Sequence, residues 1–186
     1  IDKSLDYYNR SKKIFEKFEE KPRIAATFNN IGLSYWFRGE YDKSLNYFSK
    51  YEKIAKDLGN KKDILLALCN IGTSYLYKGN IKKAEEYLED SLALQKEIKI
   101  QIYKLFSITH LQLAKKFLNK EIDVKEINSA IQETEYSSYT TSYVIYQLLD
   151  DISYLETAYN QAQAKADNLE PDVAAKFLSY PIPKAI

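Results

Sequence analysis

Displaced against itself by 40 residues, the chain matches without a gap over its first 98 positions. Ile1-Asp2-Lys3-Ser4-Leu5-Asp6-Tyr7-Tyr8 falls on Tyr41-Asp42-Lys43-Ser44-Leu45-Asn46-Tyr47-Phe48, and that on Ile81-Lys82-Lys83-Ala84-Glu85-Glu86-Tyr87-Leu88. Asn30-Ile31-Gly32-Leu33-Ser34-Tyr35-Trp36-Phe37-Arg38-Gly39 falls on Asn70-Ile71-Gly72-Thr73-Ser74-Tyr75-Leu76-Tyr77-Lys78-Gly79. A fixed period of this length means a stack of similar units, each burying its apolar face on its neighbours.

Each unit reads as helix, tight turn, helix. Ile24, Phe28, Ile31 and Tyr35 recur at three- and four-residue spacing, which marks one helical face. Gly39 then supplies a left-handed C-cap. Tyr41, Leu45, Phe48, Ile54 and Leu58 form a second apolar face, closed by Gly59-Asn60. The spacing predicts helices over 24–38, 41–58, 64–78 and 81–97, in two antiparallel pairs. Gly32 and Gly72 sit inside first helices, where Gly costs about 1 kcal/mol relative to Ala. Their matched places predict a packing reason, as do Ser44 and Ala84 in the second helices.

These motifs resemble the tetratricopeptide repeat. That family has a small residue and then a Tyr in the first helix, a Gly-Asp/Asn-Tyr-like turn, and a small residue early in the second. Asn30-Ile31-Gly32-x-x-Tyr35 with Gly39-Glu40-Tyr41-x-x-Ser44 fits, as does Asn70-Ile71-Gly72-x-x-Tyr75 with Gly79-Asn80-Ile81-x-x-Ala84. The long unit is similar to the kinesin light chain and Pins/LGN branches and to repeats of bacterial signalling proteins. The resemblance implies an all-α, right-handed superhelix of about three and a half to four repeats.

The expected organisation is a second helix of a repeat over 1–20, repeats over 21–60 and 61–98, and a degenerate repeat over 99–136. Capping helices follow over 137–170, then a short helix and tail over 171–186. In the third unit Phe106, His110, Leu113 and Phe117 form the first helix and Val124, Ile127, Ala130 and Ile131 the second. Lys115 stands where Tyr is expected, and no Gly closes the turn. The fourth uses Tyr139, Tyr143 and Tyr146, turns at Asp150-Asp151, and resumes at Ile152. Asn168 to Pro171 breaks the helix, a short helix runs from Asp172 to Leu178, and Tyr180-Pro181-Ile182-Pro183 reads as extended. The stretch 1–18 matches only a second helix, so a further helix upstream is expected. The chain opens on Ile1 and holds no Met, as a piece of a longer protein would. The face bearing Leu5, Tyr8 and Phe15 is expected to lack its partner, and contacts or homo-oligomerisation are expected at such repeat ends.

Composition narrows function. Net charge is +1, from 27 basic and 26 acidic residues, so the basic excess of a nucleic-acid binder is missing. No membrane span or leader pattern occurs. The lone Cys69 fits a reducing, cytoplasmic setting and reads as a buried thiol. No metal-ligand spacing or phosphate loop occurs, and His110, the single histidine, has no positioned partner for general-base work. No enzyme activity, cofactor or metal is expected.

The resemblance implies a non-catalytic binding scaffold within a larger signalling or regulatory protein. First helices would line a concave groove for a protein or extended-peptide partner. Asn30 and Asn70 would grip the ligand backbone, since an amide both donates and accepts. Asn29, Leu33, Trp36, Phe37, Thr73, Tyr77 and His110 would join them, with Trp36 and Tyr77 along the same channel. The alternatives are a spacer or dimerisation module for an attached effector domain, and a sensor of a small signalling peptide.

Overall fold

The computed structural model describes residues 2–135 and 137–186. Ile1, which opens the first matched segment, and Tyr136, the last residue of the expected third repeat, lie outside them. The described residues contain helices and no strand. The order is α1 (Asp2–Lys17), α2 (Lys21–Phe37), α3 (Tyr41–Asp57), α4 (Lys61–Lys78), α5 (Ile81–Ile98), α6 (Lys104–Phe117), α7 (Val124–Gln132), α8 (Tyr139–Leu149), α9 (Ile152–Asp167), α10 (Pro171–Leu178) and α11 (Pro181–Ala185). The protein is an all-α helical repeat. It divides into two compact units, residues 1–101 and 102–186.

In the first unit, α2 with α3 and α4 with α5 form antiparallel hairpins, and α3 also packs on α4. α2 and α4 begin at Lys21 and Lys61, a turn earlier than the apolar periodicity starts, because Pro22 is tolerated in a first turn and Asn60 caps α4. The Asn60 side chain accepts a hydrogen bond from the Asp63 amide. The two helical glycines mark the closest approaches. A Cβ on Gly32 would lie 2.5 Å from Phe48 Cε1, and one on Gly72 would lie 2.7 Å from Leu88 Cγ. Phe48 and Leu88 are both 0% exposed, so neither ring nor branch has room to yield. Backbone entropy is spent at these glycines to let the helices of each hairpin approach.

The turns follow a stricter rule than the glycines suggest. Left-handed residues stand at Glu19, Gly39, Gly59, Gly79, Lys99 and Asn119, one every 20 residues. After each, the next amide reaches back to a carbonyl of the last helical turn: Glu20 to Phe15, Glu40 to Tyr35, Asn60 to Ala55, Asn80 to Tyr75, Ile100 to Gln95, Lys120 to Lys115. This closure satisfies helix-end carbonyls that would otherwise lack donors. It continues past the last matched glycine, so the turn spacing persists where the sequence motif has faded.

The face of α1 differs from expectation. Leu5 is buried, and Phe15 is half-buried beneath the Arg23 guanidinium of α2, at 5.4 Å. The exposed apolar side chains are instead Tyr7, Ile14 and Phe18. The face bearing Leu5 and Phe15 is thus the one that meets α2.

In the second unit, α6 packs on α7 and α8, α8 on α9, and α9 on α10. Ser138 and Asp151 cap α8 and α9. Tyr180 to Pro183 is not an extended tail: Tyr180 is the extended cap residue and Pro181 starts α11. Prolines in a first turn lack only amide hydrogens that have no helical partner there, so Pro181 and Pro183 fit helix as readily as extended chain. The Lys184 amide donates to the Tyr180 carbonyl at 2.9 Å and closes the turn.

Candidate functional site

α2 and α4 are the first helices of successive hairpins and run in the same direction. Two rungs join them. Near the middle of α2, Asn70 Nδ2 donates to Asn29 Oδ1 at 2.8 Å. Seven residues further along each helix, Trp36 and Tyr77 meet edge to face, with ring centroids 5.3 Å apart. Seven residues are two helical turns, about 10.5 Å of rise, so the two rungs lie on one seam. The polar rung thus lies at one end and an aromatic cluster at the other.

The cluster extends on both sides. Phe37 sits edge-on to Trp36 at 5.2 Å, and Tyr41 stacks on Tyr77 at 6.1 Å. Burial pushes the Tyr41 hydroxyl up from its ordinary value, so it stays protonated as a donor. Trp36 is itself buried, and its indole N–H finds no acceptor among the described residues.

Asn29, Asn30, Leu33, Phe37 and Tyr77 are half-buried along these helices and so present part of their surface. Asn70 and Thr73 are buried at 6% and 2% exposure, and the Thr73 hydroxyl bonds back to the Cys69 and Asn70 carbonyls of its own helix. The amide that pairs with Asn70 is that of Asn29, one place before the residue the repeat aligns with it. Trp36, expected on an open groove, is packed into the aromatic rung instead.

His110 differs most from expectation. It lies in α6 of the second unit at 0% exposure, not on an open surface. Its Nδ1 lies 2.8 Å from the Phe106 carbonyl and donates to it, since that oxygen can only accept. Its ring packs on Phe106 at 4.1 Å. Burial pulls its pKa down to about 4, with the carbonyl bond opposing more weakly. A histidine kept neutral in this way is a packed core residue. Cys69 is equally buried, with Sγ 2.9 Å from Ser91 Oγ.

Some repeated features escaped the sequence reading. Tyr35 stacks on Tyr47 at 5.7 Å and Tyr75 on Tyr87 at 5.6 Å, and Lys43 and Lys83 each lie 5.2 Å over the first ring of the pair. Ser44 donates to Ser74 at 3.1 Å inside the packing of α3 on α4. The signal was present, since each tyrosine and lysine recurs at the 40-residue period. Among the described residues, no group of three or more His, Cys, Asp or Glu side chains is placed to hold a metal. None of their helices is long and apolar enough to cross a membrane.

The tetratricopeptide repeat profile matches residues 1–57 and 23–97. The chain belongs to the tetratricopeptide repeat family, a fold that serves as a protein-interaction scaffold. Among curated proteins, no match is found. The structure is similar to the apo form of RapI, with a TM-score of 0.69 and 21% identity, over 88% of this chain and 62% of that one. This chain therefore spans less than two thirds of RapI. It is also similar to the nearly identical TPR-like repeats of a Podosopora anserina protein described as a kinesin light chain, with a TM-score of 0.55 and 16% identity, over 99% and 85% of the two chains. At these identities the likeness is one of fold.

Proposed function

We propose that this chain is the non-catalytic protein- or peptide-binding part of a larger signalling or regulatory protein, and that an extended segment lies along the seam between α2 and α4. The observation that carries this reading is the pair of rungs. Each amide has two donor and two acceptor positions, and the Asn29–Asn70 bond uses one donor and one acceptor. The remaining capacity matches a peptide backbone, while half-buried Leu33, Phe37 and Tyr77 offer apolar contact to alternate side chains. Thr73, Trp36 and His110 act from within, as packing.

The test is an array of immobilised, unrelated 12-residue peptides probed with the labelled chain. A subset should be retained. Leu33→Glu should weaken that subset at least tenfold, whereas Lys50→Glu, a charge change away from this seam on α3, should leave it unchanged. Retention insensitive to Leu33→Glu, or no retention at all, would remove the seam as a binding surface.

A further inference from the structure

Several lysines lie over aromatic rings, and Lys165 is held differently from Lys43 and Lys50. Lys43 pairs with Glu40 as well as lying over Tyr35, and the hydrogen bond from that carboxylate raises its pKa. Lys50 spans Phe28 and Tyr47, both only half-buried. Lys165, in the last turn of α9, spans Tyr139 of α8 at 5.5 Å and Phe177 of α10 at 5.4 Å. These two rings are each 6% exposed and meet edge to face at 5.9 Å. Lys165 as a whole remains exposed, so a reagent can reach it, while its ammonium lies against buried aromatic surface. Burial there pulls its pKa below the ordinary lysine value, so a larger share of the amine is neutral and nucleophilic.

Tyr139 supplies a second, independent observation. Its hydroxyl is buried and has no hydrogen-bond partner among the described residues. Burial pushes its pKa up, so it stays a protonated donor. An ammonium offers three donors and no acceptor, so the cation over the ring cannot take the phenolic proton. A buried donor left unpaired is a standing cost. Converting the Lys165 ammonium to an amide removes a partly buried charge. It also adds a carbonyl oxygen to the side chain that lies over the Tyr139 ring.

We propose that Lys165 is an acyl-acceptor site for small acyl thioesters, and that the Tyr139 hydroxyl donates to the carbonyl of the resulting amide. In the step, the neutral Nζ attacks the thioester carbonyl carbon. The C–N bond forms, the C–S bond breaks, and the thiolate leaves with the electron pair. The proton lost from nitrogen passes to solvent, and nothing is oxidised or reduced. Acylation thus exchanges a cation–π contact for a hydrogen bond where α8, α9 and α10 meet. The inference does not depend on the α2–α4 seam.

The test incubates the full chain with acetyl-coenzyme A at pH 8 and follows each lysine by peptide mass spectrometry. Lys50 and the exposed Lys53 serve as references within the same molecule. Lys165 should react at least threefold faster than either, and a smaller advantage overturns the proposal. A second arm installs acetyl-lysine at Lys165 in the native chain and in Tyr139→Phe, which keeps the ring and removes only the hydroxyl. Acetylation should shift the thermal midpoint upward by about 2–4 °C more in the native chain than in the variant. Equal shifts in the two chains would take Tyr139 out of the site and overturn the assignment.

Discussion

The hairpins α2–α3 and α4–α5 are held by close approach, whereas α6–α7 is held by a polar side chain. Gly32 and Gly72 let the helices touch, and at the corresponding place in α6 stands Gln112. Gln112 is 1% exposed, yet both ends of its amide are used: Nε2 donates to Glu126 at 2.8 Å, and Oε1 accepts from the Asp123 amide at 2.9 Å. It thereby organises the start of α7, which has 9 residues where α3 has 17 and α5 has 18. Filling the close-approach position with a long side chain removes the snug hairpin, and the same side chain supplies a substitute in hydrogen bonds. A sequence motif can thus fade while the architecture it encodes continues by other means.

The contrast can be broken most forcibly at Gly72. Gly72→Val should cost about 3 kcal/mol or more in denaturant unfolding, since the new atoms meet Leu88 and its backbone amide at 3.3 Å. Gly32→Val should behave alike against Phe48. If either variant unfolds at the wild-type midpoint, close approach is not what holds these hairpins.

The second unit should respond instead to pH. His110 is held neutral, with a pKa of about 4 against an ordinary 6.5. Below pH 6.5 the unfolded chain takes up a proton that the folded chain refuses until about pH 4. Stability should therefore fall as pH drops through that window, by about 3 kcal/mol in all. Within that window, His110→Gln should flatten the decline by the histidine's share, which urea unfolding across pH 4 to 7 would measure.

A smaller loss is expected from Gln112→Leu. The volume is nearly kept, but the Asp123 amide loses its acceptor and Glu126 its donor, for about 1–3 kcal/mol. Hydrogen exchange should localise the loss to α7; an effect spread evenly over α6 to α9 would contradict the assigned role.

Smallest are the turn substitutions. Lys99→Gly and Asn119→Gly relieve a left-handed backbone and should each add about 0.5–1 kcal/mol, while Gly59→Ala, at φ 65°, should lose about 1. Equal and opposite responses would show that the 20-residue turn rhythm is one device throughout.

Much of this was legible beforehand. The repeat period placed α2 to α5, and the helical glycines announced close packing because nothing else explains Gly inside two helices. What was not legible depended on which way a helix turns its faces. Of the three side chains expected on an open face of α1, Leu5 is buried and Phe15 lies beneath Arg23 of α2, while Tyr8 is half-buried and the more exposed positions are Tyr7 and Ile14. Apolar residues lie on both sides of α1, and periodicity alone does not rank them. His110 followed the alignment onto the groove, but α6 is buried on nearly every side through its middle, from Ser107 to Ala114. Asn70 was aligned with Asn30 and pairs with Asn29, a neighbour that alignment in one dimension treats as a different position.

The Asn29–Asn70 rung ties α2 to α4, and its proposed second role is to serve an extended ligand. It is tested most directly by a double-mutant cycle of Asn29→Ala and Asn70→Ala, read in urea unfolding and in binding to a peptide retained on the array. The coupling in stability should be about 1 kcal/mol, and peptide affinity should fall at least tenfold in the double variant. A stability loss with affinity unchanged would make the rung a strut alone and contradict the binding surface.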